Sequence, residues 1–423
     1  MIKETKLTET ITDGGIPWIN FFNGRLLSGE DLSKEQNSNL EGRRRLGRSI
    51  GEGVANGLEV SIPENINTRE TPYVVVKAGL AINRQGQTLS LTAETNVKLT
   101  RPLNTSATVT TGEAFDDCRP LQPGLYLAEA GVYLLTIAPA RKNEGRAAVS
   151  GLDNIIARCN THHAVEGVQF RLIQLGLNAA ELGDARLRNR VAYRCFATNE
   201  TFPVDPFGST LTGRTLLDDL RPRLLTDCDV PLAIIKWTKT GGIEFVDMWS
   251  VRRRLFAPSA SGRWDEVLGE RRRSESEAML LQFQEHVGSL NRPDLNPRSV
   301  VASAHFERLP PIGVLPLATG TSTRGFDFRR FFQGQTYREP VFVEGARFER
   351  LFRESIRYAP LSLSSGELIW LYEVRQNAQT IAKGGANAPQ SYLIFNSGHT
   401  PFYGEARFDV NRYNYSNYSS LYD

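Results

Sequence analysis

The chemistry open to this chain is narrow, because its reactive residues are few and badly spaced for cooperation. There are five histidines and four cysteines in 423 residues. Cys159, His162 and His163 carry zinc-type donors within five positions. A zinc site takes three or four protein ligands, and no companion cluster supplies the rest, so the three read as hydrogen-bonded loop residues. Cys118, Cys159, Cys195 and Cys228 contain no CxxC pair, and their spacing demands no disulfide framework. Ser397 and His399 lie close together, with Glu405 and Asp409 behind them. A nucleophilic serine needs a strained GxSxG elbow and an oriented base, and the surrounding Phe395 to Pro401 offers neither, so this is read as a turn. Gly51-x-Gly53-x-x-x-Gly57 is one residue away from a dinucleotide fingerprint. It follows a helix and enters a strand, whereas phosphate binding needs the opposite order, so it reads as a helix stop. No catalytic residue, cofactor or metal site is assigned, and the chain is expected not to be an enzyme.

What remains is contact chemistry. Trp18, Phe21 and Phe22 form an aromatic cluster near the start, Arg43, Arg44, Arg45 and Arg48 a basic flank, and Tyr413, Tyr415, Tyr418 and Tyr422 an Asn- and Ser-interleaved tail. Such tyrosine-rich segments make adaptable contact surfaces, and the same rings could stack on sugars. Leu280, Phe283 and Val287 recur at helical spacing and complete the candidate interface residues. Fifty basic against 47 acidic side chains give a net charge of +3, too balanced to make nucleic acid a partner. The N-terminal MIKETKLTETITDGG lacks the apolar core of a signal peptide, and no stretch approaches a membrane span, so synthesis and folding in the cytoplasm are expected.

The elements that must position these residues follow from periodicity. Residues 1–15 read as a flexible or docking arm. Ser28 reads as the N-cap of a helix reaching Ile50, with Asp31 closing an aspartate capping box. That helix has only Leu32, Leu40, Leu46 and Ile50 as apolar positions, so it needs a neighbour, and a sheet is expected beneath it. Strands are expected at 58–62, 73–77, 79–83 and 88–91, then at 125–127, 132–137 and 168–173, with a long loop over 141–164. Short helices are expected over 186–193 and 215–220. The runs 230–237 and 243–249, joined by Lys239 to Gly242, predict a β-hairpin. A small-residue connector at 257–262 precedes a long helix, about 264–290, that reads as a strut or intersubunit contact. Beyond it come an apolar loop over 309–316, a helix over 346–357, and strands at 368–374 and 392–395. The expected class is α+β, mainly β: an antiparallel β-rich domain over 16–256, a linker and long helix over 257–298, and a smaller mixed α+β domain over 299–423.

Two groups of segments carry a family resemblance. NFFNGRLLSGEDL, then a charged helix, GLEV and GLAINRQGQTLSL, together with IWLYEVRQN, YLIFNSGHTPFYGEARFD and NYSNYSS near the other end, make up about a third of the chain. They resemble baseplate, collar and tail-fibre proteins of phage tails and phage-tail-like contractile injection systems. The resemblance implies a structural role: multiple copies assembling with other subunits of a tail-like particle, with a membrane-surface or receptor contact left open. It supplies no active site. A carbohydrate- or receptor-binding fibre module and a particle-associated cell-wall hydrolase are the alternatives.

Overall fold

The computed structural model describes residues 12, 15–63, 68–70, 72–99, 130–147, 160–196, 215–221, 223–255, 270–318, 323–345, 348–356, 358–375 and 391–398. It is α+β with more strand than helix, and its sheets are antiparallel except for one parallel pair.

The chain enters through α1 (Gly29–Ile50). The Ser28 hydroxyl accepts from the Asp31 amide and the Asp31 carboxylate accepts from the Ser28 amide, so both halves of the capping box are made. The glycine-rich exit beyond Gly51 is not merely a turn. Gly53–Gly57 forms strand β1 and pairs antiparallel with β4 (Gly79–Ile82), which continues to β5 (Thr88–Leu91). A second small sheet joins β2 (Val60–Ser61), β3 (Tyr73–Val76) and β6 (Thr95–Lys98) in that order.

The main sheet of this lobe has the order β10-β9-β7-β8, from β7 (Gly131–Ala147), β8 (Asn160–Leu175), β9 (Val230–Thr238) and β10 (Gly242–Asp247). Alternation along its strands feeds two cores. Tyr133, Leu135, Ala233, Ile235 and Trp237 pack with Val54, Leu58, Val74 and Val76 from the small sheets. Val132, Leu134 and Ile234 face the other way, onto α3 (Leu187–Cys195) and α4 (Leu216–Leu220), which follow the short α2 (Ala179–Leu182). The 239–242 hairpin is present as expected. The loop expected over 141–164 is a correction: residues 141–147 and 160–164 are strand, paired in register from Arg141↔Glu166 to Ala147↔Asn160.

The second lobe is also layered. Its sheet has the order β12-β16-β15-β13, from β12 (Ile312–Pro316), β13 (Val341–Glu344), β15 (Trp370–Arg375) and β16 (Tyr392–Asn396), beside a two-stranded pair of β11 (Arg308–Leu309) and β14 (Leu361–Ser362). The apolar run expected as a loop over 309–316 is therefore largely strand, with Pro310 and Pro311 ahead of β12 rather than inside it. Leu315, Leu371, Leu393 and Phe395 face the long helix Glu270–Leu290. Ile312, Tyr372 and Ile394 face the amphipathic helix Phe348–Ser355, whose Leu351 is fully buried.

The long helix packs within the chain, in the second lobe's core and against the first lobe. Leu280, Phe283 and Val287 are at most 6% exposed, and Phe283 and Val287 belong to the second lobe's own core, so none of the three offers surface to another subunit. Their helical spacing is as expected; their partner is the same chain. The helix also meets the first lobe. Arg188 on α3 donates to Asp247 at 3.4 Å and to Glu285 at 2.9 Å, and Gln282 donates to Asp247 at 3.0 Å. The Asn189 amide donates to the Arg308 carbonyl and its oxygen accepts from the Glu307 and Arg308 amides, which ties α3 to β11.

His286, one residue beyond Glu285, is 5% exposed, and burial, with Arg188 and His305 adding like charge, pushes its proton affinity down to about 3. The Phe306 ring packs on it at 4.6 Å. An unfolded imidazole protonates near 6.5, so the folded state loses stability as pH falls from that value toward 3 and keeps it in full above. Between pH 7 and 4.5 this amounts to about 2–3 kcal/mol. Urea unfolding at the two pH values should show that loss in the native chain and a smaller one in His286→Gln; equal losses would remove the assignment.

Candidate docking surface

Two of the groups whose proton affinity is strongly shifted, His286 and Cys195, are buried side chains. Cys195 is fully buried, and burial raises its thiol to about 12, so it holds no thiolate at neutral pH. Cys228 is buried and disulfide-bonded, a bond its sequence spacing did not signal. Among the described residues no three His, Cys, Asp or Glu side chains gather as a metal site. His162 and His163 sit exposed on β8, ring centroids 3.9 Å apart. Cys159, His399 and the tail tyrosines Tyr413, Tyr415, Tyr418 and Tyr422 lie outside the described residues. A cavity of about 350 Å³ is lined by Arg338, Glu339, Val341, Trp370, Leu371 and Tyr372. The Arg338 guanidinium stands over the Trp370 ring at 5.1 Å.

The surface that stands out is the N-terminal projection. Proteins rarely leave a run of large apolar groups in water. Here Trp18 is 77% exposed, Phe22 64%, Leu26 93% and Leu46 66%, and Phe21, Leu27, Leu32 and Ile50 are all at least half exposed. All eight belong to residues 18–50, the segment made of α1 and the stretch before it. Gly47 is the buried residue of α1, and it meets the β4–β5 turn of the sheet expected beneath the helix.

Three local devices hold this projection in shape without a core. At the base, Gly47 lies against the Gly86 backbone in the β4–β5 turn. A Cβ at Gly47 would fall 2.1 Å from the Gly86 carbonyl oxygen, and one at Gly86, where φ is +78°, would fall 2.0 Å from that of Arg44. The approach therefore needs two glycines, and Gly86 needs the left-handed conformation as well. At the tip, the capping box is braced by Arg25, which donates to Asp31 at 3.1 Å and to the Asn20 carbonyl at 2.7 Å. Along the shaft, the Ser38 hydroxyl donates to the Pro17 carbonyl, which draws residues 15–22 back beside the helix. Glu41 bonds Arg48 at 2.7 Å and lies 3.7 Å from Arg45, and Arg48 holds its carboxylate below the usual range. Arg43 is exposed, and Arg44 is half-buried at the base.

Gly47→Val should push α1 off the turn at a cost of about 1–3 kcal/mol. Amide exchange is expected to quicken across Gly29–Ile50 and stay unchanged in β7 and β9. Unaltered exchange in α1 would mean that the glycine contact does not hold the arm.

A second projection was not legible in the sequence. Strand β9 pairs with β7 only as far as Ile137. Beyond that, among the described residues, Ala138–Ala147 and Asn160–Gln169 pair with each other alone and form a two-stranded ribbon about 30 Å long. Residues 141–145 and 162–167 are exposed on both faces. At its root Arg171 and Asp229 form a buried ion pair, with the Arg171 side chain 7% exposed and that of Asp229 fully buried. Thr136 and Thr226 hydroxyls also donate to Asp229, at 3.0 and 2.7 Å.

No helix among the described residues is long and apolar enough to cross a membrane. No protein-family model and no curated protein matches the chain.

Proposed function

We propose that the chain is a non-enzymatic structural subunit of a phage-tail-like contractile injection particle, placed at the baseplate or its fibre or collar extension, and that it works by assembly with other subunits. The observation that carries this reading is the N-terminal projection. It presents eight large apolar side chains to water, five on the stretch before α1 and three on the helix itself, which has one buried residue. A helix so placed gains further stability when another polypeptide covers its apolar groups. The segments that resemble baseplate and fibre proteins include this arm, NFFNGRLLSGEDL and the helix after it. The ribbon of β7 and β8 adds a second contact element, since a lone two-stranded ribbon is marginal in water.

Sedimentation of lysate from a producing cell tests the assignment. The chain is expected to travel with intact particles and to be imaged at one end of them with a label. A chain found only in the free protein fraction, with turnover on peptidoglycan or another substrate, would overturn the reading.

A further inference from the structure

This inference rests on the assembly role above and names the first partner of the arm. Six residues of α1 form an unbroken exposed stripe: Leu32, Gln36, Asn39, Arg43, Leu46 and Ile50, spaced alternately by four and three. That is the spacing of a coiled-coil seam, with apolar residues at its two ends and polar ones at its centre. The body contact at Gly47 and the returning segment at Ser38 lie to either side and leave the seam open.

Charge decides the orientation of anything that shares this seam. Residues 29–39 hold Glu30, Asp31 and Glu35 against Lys34, which is three acids less one base, or −2. Residues 40–50 hold Arg43, Arg44, Arg45 and Arg48 against Glu41, which is four bases less one acid, or +3. Parallel pairing of two such helices would set +3 beside +3 and Arg43 against Arg43. Antiparallel pairing sets −2 beside +3 at both ends. It also matches the seam with itself about a two-fold axis between Asn39 and Arg43: Leu32 meets Ile50, Gln36 meets Leu46, and Asn39 meets Arg43. An isologous contact of this kind uses the same patch twice.

We propose that α1 docks on α1 of a second copy of this chain, antiparallel, making a two-fold dimer that is the unit entering the larger assembly. The exposed Trp18, Phe21 and Phe22, on the segment that Ser38 and Glu35 hold beside the helix, would widen the contact. The polar centre at Asn39 and Arg43 fixes the register, since sliding by one heptad would set Arg43 against an apolar residue.

Full-length chains carrying single cysteines test this by oxidation. A mixture of Leu32→Cys and Ile50→Cys chains is expected to yield a mixed disulfide dimer of twice the 47.2 kDa chain mass. Neither variant should cross-link with itself, because its two copies would lie about 27 Å apart along the pair. Leu46→Glu should shift the chain from dimer to monomer in light scattering, with amide exchange in β7 and β9 unchanged. Self-cross-linking of Leu32→Cys would show parallel pairing and overturn the proposal. So would a monomeric native chain whose arm becomes protected only when a different particle subunit is added. That last result would leave the structural role standing, whereas a dimer that never enters a particle would sustain the pairing and sink the role.

Discussion

In Asp229→Ala the first lobe should unfold at a urea concentration lower by the equivalent of about 3–5 kcal/mol, followed through the buried Trp237. The cost does not come from losing a favourable pair as such. It comes from leaving the Arg171 guanidinium inside the protein with its counter-charge gone and with the Thr136 and Thr226 hydroxyls deprived of their acceptor. A double variant, Arg171→Met with Asp229→Leu, removes both charges and should recover most of the loss. If the single change cost under about 1 kcal/mol, the pair would be solvated rather than buried. The effect bears on function because Thr136 and Arg171 are register partners at the point where β7 and β8 leave the sheet. A loosened root should also speed amide exchange in the ribbon.

Local signals were legible in the sequence and long-range ones were not. Ser28 and Asp31 predicted a capping box because the motif is complete within four residues. The hairpin over 239–242 and the stripe of Leu280, Phe283 and Val287 were legible for the same reason: turn residues and periodicity act locally. What the stripe faces is another matter. Periodicity is identical whether a helix packs on its own sheet or on another subunit, and here it packs on its own. Strand β1, written Gly-Val-Ala-Asn-Gly, has little intrinsic strand preference and owes its state to β4 beside it. The outer ribbon has both faces in water and so lacks the apolar alternation that marks a strand. Helix α1 reads as polar and in need of a neighbour, but the close approach of Gly47 to Gly86 in the β4–β5 turn joins residues far apart in sequence, which periodicity does not encode.

Removing residues 1–50 is expected to leave a folded chain that no longer assembles. The cut must fall there, because Val54, Leu58 and Val60 belong to the first lobe's core and a deletion reaching residue 62 would unfold it. Within α1 only Gly47 is buried, so little of the core leaves with the arm. A gentler variant, Trp18→Ser with Phe21→Ser and Phe22→Ser, keeps the chain at full length. It should weaken assembly by about 4 kcal/mol, close to a thousandfold, if these rings are the buried anchors of the contact.

The most direct test is competition inside the producing cell. Native chain and chain lacking residues 1–50 are expressed together with distinguishable tags, and their ratio is measured in purified particles against their ratio in the lysate. The account predicts at least a tenfold depletion of the shortened chain from particles. Equal incorporation of the two would contradict it.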